Sequence, residues 1–370
     1  MLIVLFFLSI VSFCQGLQRP IVIGHRGTAY LPELTIESQS LAHAYGADVI
    51  EIDVCLSKDN QLIVIHGKIF IFTLHRRLTI WFRLDLYLDG VTNVNEIYPN
   101  SPTDSKDLHY VIDYTLDQIR NLTVHERTVP FNDSQVYPTR FPSTSSTRFQ
   151  LATLNETLDF ILGLNQATGR TRELLIEIKK PEYHQKSNRS ISSIVLSTLN
   201  AYNLTRSTDP IILQTFYIEE LFAIRYQLNS TLRLNALMIS NDANESSSDY
   251  EYYRSEQGIR NLSNVVQALA PHFSFLANID SDGNIKGPTN FTTLAHKYNL
   301  KVYPYTFRRD QSPRIDFTKF VTYFWQTIGV DGFITDHPDV ILEILSTNIN
   351  CASMKYLHSI LVLLIFIQFI

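Results

Sequence analysis

Along the chain, the spacing of apolar and polar positions switches between a period of two and a period near three and a half. Ile21-Val22-Ile23 is a short β-branched run. From Val49 to Val54, the apolar Ile50, Ile52 and Val54 alternate with Glu51 and Asp53, the period of a strand with both carboxylates and Cys55 on one face. Leu62 to Ile65 is a third strand-like run. Only Ser57-Lys58-Asp59-Asn60 or so separate it from the second, too few for a parallel crossover, so the pair is predicted to be an antiparallel hairpin. A turn centred near Asp59 and Asn60 predicts Asp53 opposite His66.

Beyond Leu151 the alternation is regular. Helical spacing appears in Leu151 to Leu164, Ser192 to Tyr202, Ile218 to Leu228, Leu262 to Leu269, Phe291 to Tyr298 and Phe317 to Ile328. Strand-like runs fall between them: Glu173 to Lys179, Pro210 to Phe216, Leu232 to Ser240, Lys301 to Phe307 and Gly332 to Thr335. Repeated βα units with apolar strands predict an α/β fold, a (β/α)8 barrel of the TIM type with helices outside. Asn241 to Ser255, rich in Ser, Asn, Asp and Glu, reads as a solvated loop. Asp89 to Gln150 is long, polar and interrupted by five prolines, with Leu116 to Arg120 its main helical signal. It is predicted to elaborate the barrel mouth, and no second domain with its own core is expected.

The chemistry concentrates between Gly24 and His66. His25 and Arg26 leave the first strand between two glycines, and Glu51 and Asp53 share a face of the second. Alone, each feature has a structural reading, since a Glu-x-Asp on a strand is ordinarily a solvated edge. Together, two carboxylates and two imidazoles suit a hard divalent cation held by oxygens, with His25 and His66 moving protons and Arg26 facing an anionic phosphate. Glu177 interrupts the apolar strand LLIEIKK, and Lys179 shares its face. A buried Glu-Lys pair is the structural alternative there.

The motifs GHRG, PELT, EIDV, a Lys-Asp turn and LIVIH resemble the signature of the glycerophosphodiester phosphodiesterase family, most closely its bacterial periplasmic-type branch. LYLDGVTNV, LIEIKKP, ILQTF, KVYPYTF and DGFITDHPD follow in the family's order, so the resemblance runs from about Ile21 to Leu345. It implies that Glu177 completes a metal site with Glu51 and Asp53, that Lys179 faces the substrate phosphate and that Glu33 orients Arg26 or the metal site. It also implies one divalent cation, Ca2+ ahead of Mg2+. Gln214 and Tyr305, with Tyr303 and Phe307, are candidate pocket residues, core packing being the alternative for the aromatics. Thr335-Asp336 and Pro338 look like the family's closing motif, read as structural. Two departures stand out. Gly90 replaces the usual Arg, and Gly67 follows His66 where the family has Asp. Removing Gly67 to Leu84 restores His-Asp-Leu-Tyr-Leu-Asp. This Ile-, Phe- and Leu-rich stretch reads as a translated in-frame intron or spurious exon, or else as a lineage-specific apolar loop carrying Arg76, Arg77 and Arg83.

Length and charge add less. The 370 residues carry a net charge of −5 and show no basic stripe, so no nucleic-acid partner is expected. Leu2 to Phe13 is an uncharged apolar run that reads as a signal peptide cleaved near Gly16. At the other end, small residues, a polar spacer and an apolar tail read as a GPI-attachment signal over residues 350–370, with Asn350 or Ser353 as the attachment residue. The barrel domain is then 17–349. Nine Asn-x-Ser/Thr sequons agree with a secretory route.

The expectation is a secreted, GPI-anchored eukaryotic member at the cell surface, acting on a small-molecule glycerophosphodiester such as glycerophosphocholine and releasing an alcohol and sn-glycerol 3-phosphate. A lysophospholipase D-like enzyme and a non-catalytic surface barrel are the alternatives. The sequence leaves open the oligomeric state and which histidine is acid and which base.

Overall fold

Strands that alternate between two buried faces must be covered on both sides, and a closed parallel barrel ringed by helices does this. The computed structural model describes residues 19–66, 69–75, 78–84, 86–104, 107–129, 133–280, 284–311 and 315–348, the backbone alone within 69–84. Its strands are β1 Ile21–Gly24, β2 Val49–Leu56, β3 Leu62–Val64, β4 Ile69–His75, β5 Leu78–Leu84, β6 Glu173–Ile178, β7 Ile211–Thr215, β8 Arg233–Met238, β9 Ala268–Pro271, β10 Ala277–Ile279, β11 Ile285–Pro288, β12 Lys301–Val302 and β13 Gly332–Thr335. Eight of them run parallel in the order β12-β9-β8-β7-β6-β2-β1-β13. The chain after β12 closes the ring on β13, with Phe307 N donating to Ile334 O at 2.9 Å and Ile334 N to Pro304 O at 3.1 Å. The fold is the expected (β/α)8 barrel.

Inside the ring, Ile23, Val49, Leu175, Ile212, Leu237, Ala270 and Ile334 form one apolar layer, a residue from each of seven strands. The intervening residues, such as Ile50, Ile52, Ile176 and Leu213, face outward into the larger cluster beneath the helices. Among these helices, Leu154–Thr168 begins at a capping box in which Thr153 and Glu156 satisfy each other's backbone N–H groups, and it ends at Gly169 in the left-handed conformation. It buries Leu154, Leu158 and Ile161, each worth about 1.5–3 kcal/mol of transfer free energy. No helix among the described residues is long and apolar enough to cross a membrane.

Several expectations are corrected. The hairpin is antiparallel, but its register is Val54↔Val64, Cys55↔Ile63 and Leu56↔Leu62. The turn therefore centres on Asp59, and Ile65, whose N donates to Asp53 O, stands opposite Asp53 in place of His66. Leu262 to Leu269 is not a helix. Glu256–Leu262 ends there, a turn follows, and β9 begins at Ala268. Leu262, Val265, Val266 and Leu269 are all buried at helical spacing, but by a turn and a strand. Asn241 to Ser255 contains the helix Tyr250–Arg254, with Tyr250 fully buried and its hydroxyl donating to Phe216 O. Regular pairing in Lys301 to Phe307 stops at Val302, with isolated bridges at Tyr305 and Phe307.

The segment from Leu86 to Leu151 has few regular elements yet builds its own apolar cluster. Leu88, Val94, Val111, Ile119 and Val124 pack against Cys55, Ile63 and Ile65, on the face of the hairpin that also carries Asp53. This lobe is anchored on barrel strands, which explains why its sequence shows no periodicity of its own. Strands β4 and β5 pair only with each other, from Ile69↔Leu84 to His75↔Leu78. Because Ile69 and Leu84 face each other across the pair, a few ångströms apart, the chain can be rejoined after excision. Deleting Gly67 to Leu84 is expected to leave a cooperatively folding barrel, which calorimetry of the deletion variant checks. Loss of the thermal transition would show that the hairpin supports the fold.

Candidate active site

Two residues beyond the apolar layer, the same inward-facing positions turn polar: His25, Glu51, Glu177, Gln214, His272 and Asp336 follow Ile23, Val49, Leu175, Ile212, Ala270 and Ile334. The period-two geometry of a strand thus places a polar ring on an apolar floor, at the C-terminal ends where a barrel carries its chemistry. A cleft of about 140 Å³ opens there, reached by His25, Arg26, His66 and Lys179.

Glu51, Asp53 and Glu177 present ligand atoms that all lie within 4.8 Å of one another. The β2–β6 register, which pairs Asp53 with Glu177, enforces this. Arg26 N donates to Glu51 Oε2 at 2.9 Å and Gln214 Nε2 to Oε1 at 3.3 Å, while Asn235 Nδ2 holds Gln214 Oε1 at 3.0 Å. Neither Asp53 oxygen receives a hydrogen bond, and the residue is fully buried. Its nearest cations are Arg26 Nε at 3.1 Å and Lys179 Nζ at 3.7 Å. Burial and the Asp53 and Glu177 charges push the Glu51 carboxyl well up. Burial pushes Glu177 up to about 8, against the pull of Lys179, whose Nζ lies 2.6 Å from Oε1. Clustered, desolvated and incompletely paired carboxylates fit a hard divalent cation.

A left-handed backbone at Arg26 (φ 56°) and Gly27 (φ 91°) makes the tight turn that turns Arg26 N onto Glu51. A Cβ on Gly27 would meet Ser38 Oγ at 2.4 Å, so glycine is required there. Glu33 accepts from Arg26 Nη1 at 3.1 Å and also contacts Arg127 Nη2. Although burial raises its carboxyl, Arg127 and Arg26 bring it down to about 2. Arg127 comes from the lobe and lies 3.2 Å from His66 Nδ1. A guanidinium only donates, so that nitrogen accepts and the neutral ring carries its proton on Nε2.

Across the ring, His25 Nδ1 lies 2.6 Å from Asp336 Oδ1. Asp336 Oδ2 takes Arg140 Nη2 at 2.6 Å and Arg308 Nε at 2.7 Å. Burial, then the Arg26 charge, lowers His25 to about 4, with Asp336 opposing.

The structure therefore brings together His25, His66, Arg26, Lys179, Glu51, Asp53, Glu177 and Glu33. Gln214 and Tyr305 border the cleft, whereas Tyr303 packs on the apolar floor and Phe307 in the outer core with Phe320, Phe324 and Phe333. Asn350 and Ser353 lie outside the described residues. Arg127, Arg140, Arg308 and the contact of Asp336 were not foreseen. The arginines sit in irregular, polar stretches without a period to read, and only the Thr-Asp closing motif marked its position. Gly90 adopts φ 71° and its carbonyl accepts from Thr128 N at 2.8 Å. Seven of the eight described sequon asparagines are exposed, Asn261 being partly buried.

Fold and site together define a hydrolase-type barrel with an acidic metal-ligand cluster and two histidines. The chain belongs to the glycerophosphoryl diester phosphodiesterase family, whose model matches residues 25–340. It is 31% identical to a Haemophilus influenzae glycerophosphodiester phosphodiesterase over 88% of this chain and 89% of that protein. A Treponema pallidum enzyme of the same name is 28% identical over 90% of this chain and 93% of its own length. A phosphodiesterase from Oleispira antarctica, solved in complex with the product sn-glycerol-3-phosphate, superposes with TM-score 0.55 at 17% identity, covering 91% of this chain and 99% of that one.

A carboxyl raised from 4.5 to about 8 in the folded, metal-free protein binds more protons than in the unfolded chain across that interval. Its contribution to stability is present at low pH and lost as pH rises through about 8. Ca2+ or Mg2+ should therefore raise the melting temperature more at pH 8 than at pH 5, a hundredfold excess over Kd being worth about 2.7 kcal/mol. Differential scanning fluorimetry checks this, and equal shifts at both pH values would contradict it.

Proposed function

We propose that the protein hydrolyses glycerophosphodiesters, glycerophosphocholine among them, to an alcohol and sn-glycerol 3-phosphate, with one divalent cation, Ca2+ ahead of Mg2+, held by Glu51, Asp53 and Glu177. Charge balance carries the reading. Once a cation displaces their protons, the three carboxylates exceed the two cationic side chains beside them, Arg26 and Lys179, by one negative charge. A divalent cation turns this to one positive charge, which a phosphodiester's single negative charge balances. Among the described residues, Glu33 is paired with Arg127, and Asp336 and Asp310 with Arg140 and Arg308.

A phosphodiester anion repels nucleophiles, and hydrolysis needs its oxygens neutralised. Arg26 and Lys179 hold those oxygens at the cleft. The bound cation would add Lewis-acid polarisation of the phosphoryl group. His25 takes the proton of the attacking hydroxyl, and His66, its Nδ1 occupied by Arg127, offers Nε2–H toward the departing oxygen as charge develops there. The apolar leader-like run and the exposed sequons support passage through the secretory pathway, and the small-residue, spacer and apolar-tail pattern supports a GPI anchor at the cell surface.

Release of sn-glycerol 3-phosphate from glycerophosphocholine, abolished by chelation and restored by Ca2+, is the expected result. Glu51→Gln and Glu177→Gln should each lower kcat by more than the roughly 10–100-fold that loss of an outer partner of a metal ligand costs. Choline release from lysophosphatidylcholine alone would replace the substrate assignment, and full activity in chelator would remove the cation from it.

A further inference from the structure

Strand register makes His25 and Asp336 neighbours before any side chain is considered. β1 and β13 pair as Gly24↔Thr335, so the next residue out of each strand is His25 on one side and Asp336 on the other. His25 N donates to Thr335 O at 2.8 Å, and Ala29 N to Asp336 O at 2.7 Å, which fixes both backbones. The carboxylate then divides its oxygens. Oδ1 meets His25 Nδ1 at 2.6 Å, and Oδ2 meets both Arg140 and Arg308.

We propose that Asp336 is the positioning residue of His25, and that Arg140, delivered by the lobe, locks it in that role together with Arg308. Two guanidiniums on Oδ2 keep the carboxylate ionised, an acceptor without a proton to give. His25 must then carry its proton on Nδ1, which leaves Nε2 with a lone pair as the proton acceptor of the site. His66, accepting from Arg127, is held in the opposite tautomer. Arg140 is itself fixed, its Nε 2.8 Å from Asp310 Oδ2 and its guanidinium 3.8 Å from the centre of the Tyr137 ring. It is 7% exposed at the side chain and does not border the cleft, so it acts through Asp336. The lobe is thereby a working part of the active site, although its core lies outside the barrel.

The inference rests on the phosphodiesterase reading for its kinetic arm alone. Full-length protein is compared with Asp336→Asn, Arg140→Gln and Arg140→Lys, by steady-state release of sn-glycerol 3-phosphate and by ¹⁵N-histidine NMR of the imidazole nitrogens. A carboxamide beside a catalytic imidazole can select the wrong tautomer, and such a change elsewhere costs up to ~10⁴ in kcat. Asp336→Asn should lower kcat at least ~100-fold with KM little changed. His25 should be the Nδ1–H tautomer in the wild type and lose that signature in the variant. Arg140→Gln should lower kcat with KM preserved, and Arg140→Lys should restore most of the loss. Asp336→Asn activity close to wild type, or an Nε2–H tautomer in wild-type His25, would overturn the proposal. If the wild type is inactive on glycerophosphodiesters, the substrate reading fails, and the tautomer spectra still decide this one. Should Asp336→Asn fail to fold, the Arg140 pair carries the kinetic comparison, equal loss in Gln and Lys counting against the proposal.

Discussion

Three carboxylates held within 4.8 Å of one another in a desolvated barrel mouth are the constraint to which the rest of the site answers. Parallel register between β2 and β6 sets Asp53 beside Glu177, and nothing in the sheet can relax this without shifting every inward residue to the other face. The neighbouring groups are arranged accordingly. A glycine-dependent turn brings Arg26 in from β1, Lys179 enters one turn of the pleat beyond Glu177, and a Gln214–Asn235 relay fixes the remaining Glu51 oxygen. Once ionised, the three carboxylates exceed the two cations beside them by one charge, which suits a divalent cation and then an anionic substrate.

Around this centre the charged side chains fall into paired sets with distinct origins. Glu33 ties Arg26 to Arg127, and Asp336 ties His25 to Arg140 and Arg308. In each set the barrel supplies the carboxylate or histidine and the lobe supplies an arginine. The lobe's apolar cluster leans on Cys55, Ile63 and Ile65 of the hairpin, so the face of β2 that presents Asp53 also seats the lobe, one step further along the strand. Function and packing share β2, and a substitution at Cys55 or Ile63 would be felt in the placement of Arg127 and Arg140.

Much of this was legible in the sequence because it is local and periodic. The alternation of Glu51 and Asp53 with Ile50, Ile52 and Val54, and of Glu177 with Ile176 and Ile178, is the strand period itself. The eight-strand ring follows from repeated βα units, yet Leu262 to Leu269 has helical spacing where the chain forms a turn and the first residues of β9, because these bury the same positions a helix would. A hairpin register differs by one with the choice of turn centre, and Asp53 faced Ile65 in place of His66. The arginines of the lobe were illegible for a different reason: they reach the site through irregular chain whose path is set by tertiary packing. Asp336 was visible as a motif, but its contact with His25 spans 311 positions and depends on barrel closure.

The barrel mouth is built around the cation. Isothermal titration of Ca2+ into chelator-treated protein at neutral pH, beside Asp53→Asn, measures it without reference to any substrate. One ion per wild-type chain and none in the variant is the predicted result. No binding by the wild type, or undiminished binding by Asp53→Asn, would contradict the assignment of Glu51, Asp53 and Glu177 as the site that organises the barrel mouth.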